Sequence, residues 1–189
     1  CIRFIKEKDG SALFYAVNYG QAEVVLALLK AGASVNRAPG LEPYLNRSIL
    51  AASTAALDVR HESEKFGPIH QRFAGITELL LQAGAGVNAQ DDRGWTPLFA
   101  CVNECRKDLL IRLIAAGGDV AHRKEEGDTA LHFLVKVQKS RQLDELEMLE
   151  LARVLVEAGV DVEALNSEGK TALELTVETD AHHIGAFLK

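Results

Sequence analysis

The sequence LLLQAGAGVNA at Leu79–Ala89 recurs along the chain, and this recurrence decides the fold. Related phrases stand at Leu28–Asn36 (LLKAGASVN), Leu113–His122 (LIAAGGDVAH) and Leu155–Ala164 (LVEAGVDVEA). After a charged turn comes a second phrase, which reads GWTPLFA from Gly94, GDTALHF from Gly127 and GKTALEL from Gly169. Gly84 and Gly117 are 33 residues apart, as are Gly94 and Gly127. This period with a TPLH-like phrase predicts a solenoid whose unit is a hairpin followed by two helices.

At these residues the chain resembles the ankyrin-repeat family, and the resemblance covers nearly the whole chain. It implies an all-α solenoid of about five helix-turn-helix units joined by hairpin loops, with almost no strand. We expect a single domain over residues 1–189, with units at about 9–36, 41–90, 91–122, 123–164 and 165–189.

Two units are longer than the period. The second has a long hairpin and an insertion at 55–73, where Gly67-Pro68 breaks any helix. The fourth has an insertion at 138–150 and a helix predicted from about Leu143 to Ala158, because apolar residues recur at helical spacing at Leu143, Leu146, Leu151, Val154 and Leu155. Each insertion is either a solvated loop or a functional element. The fifth unit is expected to be a C-terminal cap or a truncated unit, with polar residues on its outer face.

Charge and composition limit the classes of partner. The net charge is −6, and it is concentrated in residues 119–189, where 8 Lys/Arg stand against 15 Asp/Glu. An acidic C-terminal part disfavours nucleic acid as a ligand and tolerates a basic protein partner. A solvated acidic surface that binds nothing explains the charge as well. The sequence shows no apolar run long enough for a membrane span and no signal peptide. We therefore expect an intracellular monomer that does not bind membranes, and a fragment, because the chain opens at Cys1 without Met.

Residues that could suggest chemistry have structural explanations in the repeat register. There is no P-loop, GxGxxG, GxSxG or HExxH motif, so no catalytic residue, cofactor site or metal site is predicted. Cys101 fits the buried Ala position of a first helix, and Cys105 fits the Gly position that ends it. Thr96 is expected to cap the helix that follows it, with Pro97 in its first turn.

Two further residue types have roles that the family resemblance implies. It gives His132 hydrogen bonds that tie neighbouring hairpins together. Asn36 and Asn88 are expected to stabilise the hairpin turn, with hydroxylation, known in some family members, as the alternative.

The resemblance also implies a protein partner bound on the concave face, which hairpin tips and inner helices form together. The candidate positions are Asn18, Tyr19, Tyr44, Asp92, Arg93, Trp95, Asn103, Glu104, Glu125, Glu126, Asp128, Lys136, Glu168 and Lys170. The single tryptophan, Trp95, either anchors the partner or lies flat on the neighbouring hairpin. Acidic tips would select a basic segment, mainly through steering and specificity.

The sequence thus predicts a protein-protein interaction module, a scaffold or adaptor without catalysis of its own. The alternative is a recruiting or regulatory section of a larger protein, such as an enzyme, an immune-type receptor or a ubiquitin-ligase adaptor. An enzymatic pocket built by the insertions is disfavoured, because neither insertion contains a nucleophile–base pair or a metal-ligand set.

Overall fold

The computed structural model describes residues 9–36, 69–91, 94–124, 126–141 and 144–189, and these residues form helices and turns without a strand. In chain order the helices are α1 (Asp9–Asn18), α2 (Ala22–Lys30), α3 (Ile69–Gln82), α4 (Pro97–Asn103), α5 (Lys107–Ala115), α6 (Ala130–Arg141), α7 (Glu145–Glu157), α8 (Ala172–Thr179) and α9 (His182–Phe187). The predicted all-α class is confirmed.

The helices lie in two layers. Helices α4, α6 and α8 pack side by side as first helices of successive units, and α2, α3, α5, α7 and α9 pack in the same way as second helices. The layers join within each unit, where α1 contacts α2, α4 contacts α5, α6 contacts α7, and α8 contacts α9. This is the stacking of a helix-turn-helix solenoid, in which each unit buries its apolar side against its neighbours.

The Gly that follows a second helix turns the chain into the next hairpin. Gly32, Gly84, Gly117 and Gly159 all have left-handed φ angles between 82° and 90°. Glycine adopts this conformation without the strain that a Cβ would add, so the Ala-Gly pair of the repeat ends the helix. First helices end similarly, but there Cys105 and Asp180 adopt left-handed φ angles of 54° and 56°. The prediction that Cys105 takes the helix-ending Gly position is confirmed.

The core is a stripe of side chains from equivalent positions in successive units. Val17, Val102 and Val135 occupy one such position in the first helices, and each is fully buried. Cys101 is also fully buried, as expected of a small apolar residue in the Ala position. The outer face of the fifth unit is not wholly polar as expected, because Val177, at the position of these three valines, is 76% exposed.

The insertion of the fourth unit extends both of its helices. Helix α6 has 12 residues against 7 in α4, and α7 has 13 against 9 in α5. The predicted second helix is confirmed within two residues at its start and one at its end. Leu146, one of the apolar residues counted at helical spacing, does not face the core, because it is 64% exposed and Met148 is buried instead. Met148 precedes Leu155 by seven residues, two helical turns, and so shares its face.

Polar side chains tie each unit to the next. His132 Nε2 donates to the Lys170 carbonyl at 2.9 Å, and Thr129 Oγ1 therefore donates to His132 Nδ1 at 2.8 Å. The predicted hairpin tie through His132 is confirmed. Asn36 bonds Gly84 O and Gly86 N of the next unit, both at 2.7 Å.

Asn88 repeats this arrangement one unit later, bonding Gly117 O at 3.0 Å and Asp119 N at 2.8 Å. The expectation that Asn36 and Asn88 stabilise their own turns is corrected, since both bridge to the following unit. Thr96 does not form the expected side-chain cap, because its Oγ1 is buried without a hydrogen bond. Pro97 occupies the first turn as predicted.

Candidate functional site

A hairpin-tip residue contacts the first helix of its own unit in both the fourth and the fifth unit. Lys136 Nζ on α6 lies 2.7 Å from Asp128 Oδ2 on its hairpin, and Lys170 Nζ lies 2.7 Å from Glu178 Oε1 on α8. Both pairs join residues eight positions apart, from a tip to the first helix that follows it. We define the inner face as the side chains at these two repeated positions, namely Trp95, Asp128 and Lys170 at the tips and Asn103, Lys136 and Glu178 on the helices.

Asp128 is a correction to the predicted set of exposed tip residues, because it is only 1% exposed. Its Oδ1 accepts from Asn166 Nδ2 of the next hairpin at 3.1 Å, and its Oδ2 accepts from Lys136. The carboxylate thus holds a hairpin, a helix and the next hairpin together. Lys136 also lies 3.8 Å from Glu126 Oε2, and the Glu126 side chain is exposed.

Lys170 is held between two carboxylates. Its Nζ lies 2.7 Å from Glu178 and 3.2 Å from Glu168. Hydrogen bonds to Glu178 first, and to Glu168 second, raise the pKa of Lys170 above its ordinary value. Glu178 was not predicted from the sequence, although it follows Asn103 and Lys136 in the repeat register and could have been found there.

Trp95 packs on the next unit, where its ring contacts a phenylalanine of the first helix and a lysine of the hairpin. Its ring meets the ring of Phe133 on α6 edge-on, with centroids 5.1 Å apart. Lys124 Nζ lies 4.6 Å from the Trp95 ring centroid and 4.7 Å from that of Phe133, which is cation–π geometry. Trp95 is therefore half-buried, and Phe133 and Lys124 are neighbours that the sequence reasoning missed.

The remaining candidates within the described residues lie at the ends of the first helices α1 and α4. Asn103 Nδ2 donates to Glu104 Oε1 at 2.6 Å, and both side chains are half-buried. In the first unit Asn18 is half-buried and Tyr19 is 74% exposed. Four further predicted positions lie outside the described residues, as does most of the insertion at 55–73: Tyr44, Asp92, Arg93 and Glu125.

The described part of the chain contains no group of three or more His, Cys, Asp or Glu side chains placed to bind a metal ion. Cys101 and Cys105 are not in a disulfide bond, and Cys105 Sγ lies 3.7 Å from Met148 Sδ, a contact between the third and fourth units. None of the described helices has the length and apolar character required to cross a membrane.

Comparison with known proteins agrees with this architecture. Residues 10–38 match the family model "Ankyrin repeat". Over 182 residues the chain is 32% identical to the nuclear factor NF-kappa-B p105 subunit of Gallus gallus, covering 94% of this chain and 16% of the relative. Over 124 residues it is 30% identical to ankyrin repeat and SOCS box protein 11 of Danio rerio, covering 66% and 37%.

A third relative is an ankyrin repeat-containing protein of Schizosaccharomyces pombe, 35% identical over 72 residues that cover 36% of this chain and 35% of the relative. The chain thus spans less than two fifths of the length of each of these three relatives. The recurring hairpin and helix pair, the stacked layers and these similarities lead to one conclusion: the chain belongs to the ankyrin-repeat family.

Proposed function

We propose that this chain is a protein-interaction module that binds a basic segment of a protein partner along the inner face of its third to fifth units, with no catalysis of its own. The observation that carries the proposal is the pair of tip-to-helix contacts, Asp128–Lys136 and Lys170–Glu178. In two successive units they bring a hairpin-tip residue and a first-helix residue together at the same repeat positions, which supports a surface shared by the two units. A segment lying across the units would meet these side chains in order.

The charge of the inner face favours a basic partner. The exposed carboxylates of Glu126, Glu168 and Glu178 lie on or beside the inner face, and with the buried Asp128 they make four carboxylates against two ammonium groups, those of Lys136 and Lys170. An approaching Lys or Arg would find carboxylate oxygens at both tips, whereas an acidic segment would meet like charge. Such complementarity acts mainly on the association rate and on specificity, and salt weakens it.

Trp95 provides both a contact and a reporter. Aromatic side chains at partly desolvated positions often anchor interfaces, and this ring is fixed against Phe133 by packing. Because Trp95 is the only tryptophan, its fluorescence reports events at the third and fourth units. Lys124 above both rings is a cation that a partner's basic side chain would have to accommodate.

The test is a titration of the chain with a basic peptide and with an acidic peptide of equal length, followed by Trp95 fluorescence at low and high salt. We expect the basic peptide alone to change the emission, with an affinity that falls as salt rises. Glu126→Lys/Glu168→Lys should abolish this response. The matched control is Glu147→Lys/Glu157→Lys on α7, which changes the net charge equally on exposed residues of the second layer.

Equal loss in both double variants would mean that net charge, and not the inner face, drives binding. An equal response to the acidic peptide would contradict the choice of a basic partner.

A second proposal is that the chain is the recruiting or regulatory section of a larger intracellular protein. It is favoured by the small share of each reported relative that the chain spans. An immunoblot of the native protein with an antibody against this chain should then show a mass well above 20.5 kDa. If the native protein had a mass of 20.5 kDa and no heavier form were seen, this second proposal would be contradicted and the first would be unaffected.

A further inference from the structure

A pocket of about 620 Å³ lies between α3 and α5, the second helices of the second and third units. Ala74 of α3 forms one wall, and α5 with the turn before it forms the other. Helices α3 and α5 contact each other less extensively than the other neighbouring second helices do, and the short side chain of Ala74 leaves the space between them unfilled. The volume is within the range of small-molecule sites, which is about 300–1,000 Å³.

The pocket is lined by a cation whose hydrogen bonding is incomplete. Arg106, the residue directly before α5, is half-buried. Among the described residues its Nη1 is buried and has no hydrogen-bond acceptor. Burial lowers the pKa of Arg106 below its ordinary value, because the charged form has lost part of its hydration. An acceptor that entered the pocket beside this guanidinium would replace the hydration that folding removed.

The two other cations of the lining already have counter-ions. Lys107 Nζ lies 3.0 Å from Glu150 Oε2 on α7, and Arg112 Nη1 lies 3.7 Å from Glu78 Oε2 on α3. Within the described part of the chain this leaves Arg106 as the lining cation without an ion pair. An anion in the pocket would therefore pair with Arg106 and would have no other unpaired cation to meet.

The rest of the lining determines what else the anion must carry. Ala74, Leu109 and Ile111 contribute apolar side chains, and Ile111 is 46% exposed, so an apolar body in the pocket would remove apolar surface from water. Asp108 contributes a carboxylate, which a second negative charge on the ligand would meet as like charge. The pocket thus suits one negative charge attached to an apolar body.

We propose that this pocket binds a small organic monocarboxylate, with its carboxylate on the guanidinium of Arg106 and its apolar body against Ala74, Leu109 and Ile111. A guanidinium presents parallel N–H groups that match the two oxygens of a carboxylate, which favours this anion over a spherical one. The inference does not depend on the proposed binding of a basic partner, since the pocket and the inner face share no residue.

The test is a calorimetric titration of the chain with naphthylacetate and with its uncharged amide, naphthylacetamide. We expect the carboxylate to bind at least about ten-fold more tightly, because it alone supplies the charge that Arg106 lacks. Arg106→Met should weaken binding of the carboxylate by about ten-fold or more and leave binding of the amide unchanged. The same variant should not lower Tm, because it removes a buried donor that has no acceptor.

The matched control is Arg153→Met, which removes an exposed arginine of α7 that does not line the pocket. It should leave the affinity for naphthylacetate unchanged. Ile111→Ser should weaken binding of the carboxylate and of the amide by the same factor, because it shortens the apolar wall and leaves Arg106 in place.

Equal affinity of the unaltered chain for the carboxylate and the amide would overturn the proposal, and this comparison stands even if Arg106→Met fails to fold. Equal affinity of the unaltered chain and a folded Arg106→Met for naphthylacetate would overturn it as well. A third ligand, naphthyl phosphate, is mainly a dianion at neutral pH. If it bound more tightly than naphthylacetate, or if none of the three compounds bound at millimolar concentration, the assignment to a monocarboxylate would be wrong.

Discussion

Replacing Lys136 by Met should destabilise the fold more than replacing Asp128 by Asn, although the two residues form one ion pair. Lys136→Met leaves a carboxylate that is 1% exposed, with Asn166 at 3.1 Å as its remaining donor. Breaking a buried pair by removing one partner costs about 3–5 kcal/mol. Because the Lys136 side chain is 31% exposed, water partly screens the pair, and we expect a loss of about 2–3 kcal/mol in the free energy of unfolding.

Asp128→Asn removes the charge from the buried partner and leaves Lys136 beside Glu126 and solvent. The expected loss is about 1 kcal/mol, because no charge is left buried without a counter-charge. The double variant should lose less than the sum of the single variants by about 1–2 kcal/mol, which is the coupling expected of direct contact.

Urea titrations followed by circular dichroism at 222 nm measure all four free energies. The order of the two single variants is the decisive result. If Asp128→Asn is the more destabilising, or if Lys136→Met costs less than about 1 kcal/mol, the buried carboxylate is not the group whose charge needs a partner, and the reasoning fails.

Three further predictions use pairs of equivalent positions or a single strained residue, and thermal or urea unfolding measures each. Thr171→Val should lower the free energy of unfolding by about 1 kcal/mol, since Thr171 forms a capping box. Thr96→Val should be neutral or stabilising, because the Thr96 hydroxyl is buried without a hydrogen bond. Equal losses would contradict this difference in capping. Gly127→Ala should destabilise the fold more than Gly94→Ala. Both glycines have left-handed φ angles, but only at Gly127 would a Cβ lie 3.0 Å from a backbone nitrogen of the next hairpin. Similar losses would show that the two hairpins separate easily. Asp180→Gly should stabilise by about 0.5–1 kcal/mol, since its φ of 56° suits glycine, and a loss would mean that the side chain contributes more than the strain it imposes.

The fold was predictable because stacking requires the same kind of residue at the same position of successive units. A position that is buried against a neighbour must be apolar and of similar size each time, so Val17, Val102 and Val135 recur at fixed register. The Ala-Gly pair recurs because the second helices α2, α3, α5 and α7 are each followed by a glycine with a left-handed φ angle. His132 was predictable for the same reason, since its bonds go to groups that the repeat itself provides.

The surface was less predictable because its contacts depend on which residues stand at variable positions, in the same unit and in the next one. Asp128 stands at a tip position, where the repeat leaves the residue free to vary, and its burial follows from Lys136 and from Asn166 of the next hairpin. The contacts of Trp95 depend likewise on Phe133 and Lys124 in the following unit. Such combinations depend on the particular residues present and not on the period, so the period does not reveal them.

For Asn36 the sequence predicted a structural role correctly, but it did not predict the groups to which the side chain bonds. The Asx turn explains an asparagine from local geometry alone, whereas here the amide spans 48 and 50 residues to reach the next unit. Leu146 was counted at helical spacing on apolar character, although its place on α7 turns it to solvent.

The long helices of the fourth unit divide one side of the molecule. Helix α6 exceeds α4 by five residues, which at 1.5 Å per residue is about 7 Å. This extra length, together with that of α7, makes a ledge at the margin opposite the hairpin tips, where first and second helices connect. At that margin the longer helices of the fourth unit separate the third unit from the fifth, so a partner there would bind either one or the other. On the inner face no such projection separates the units.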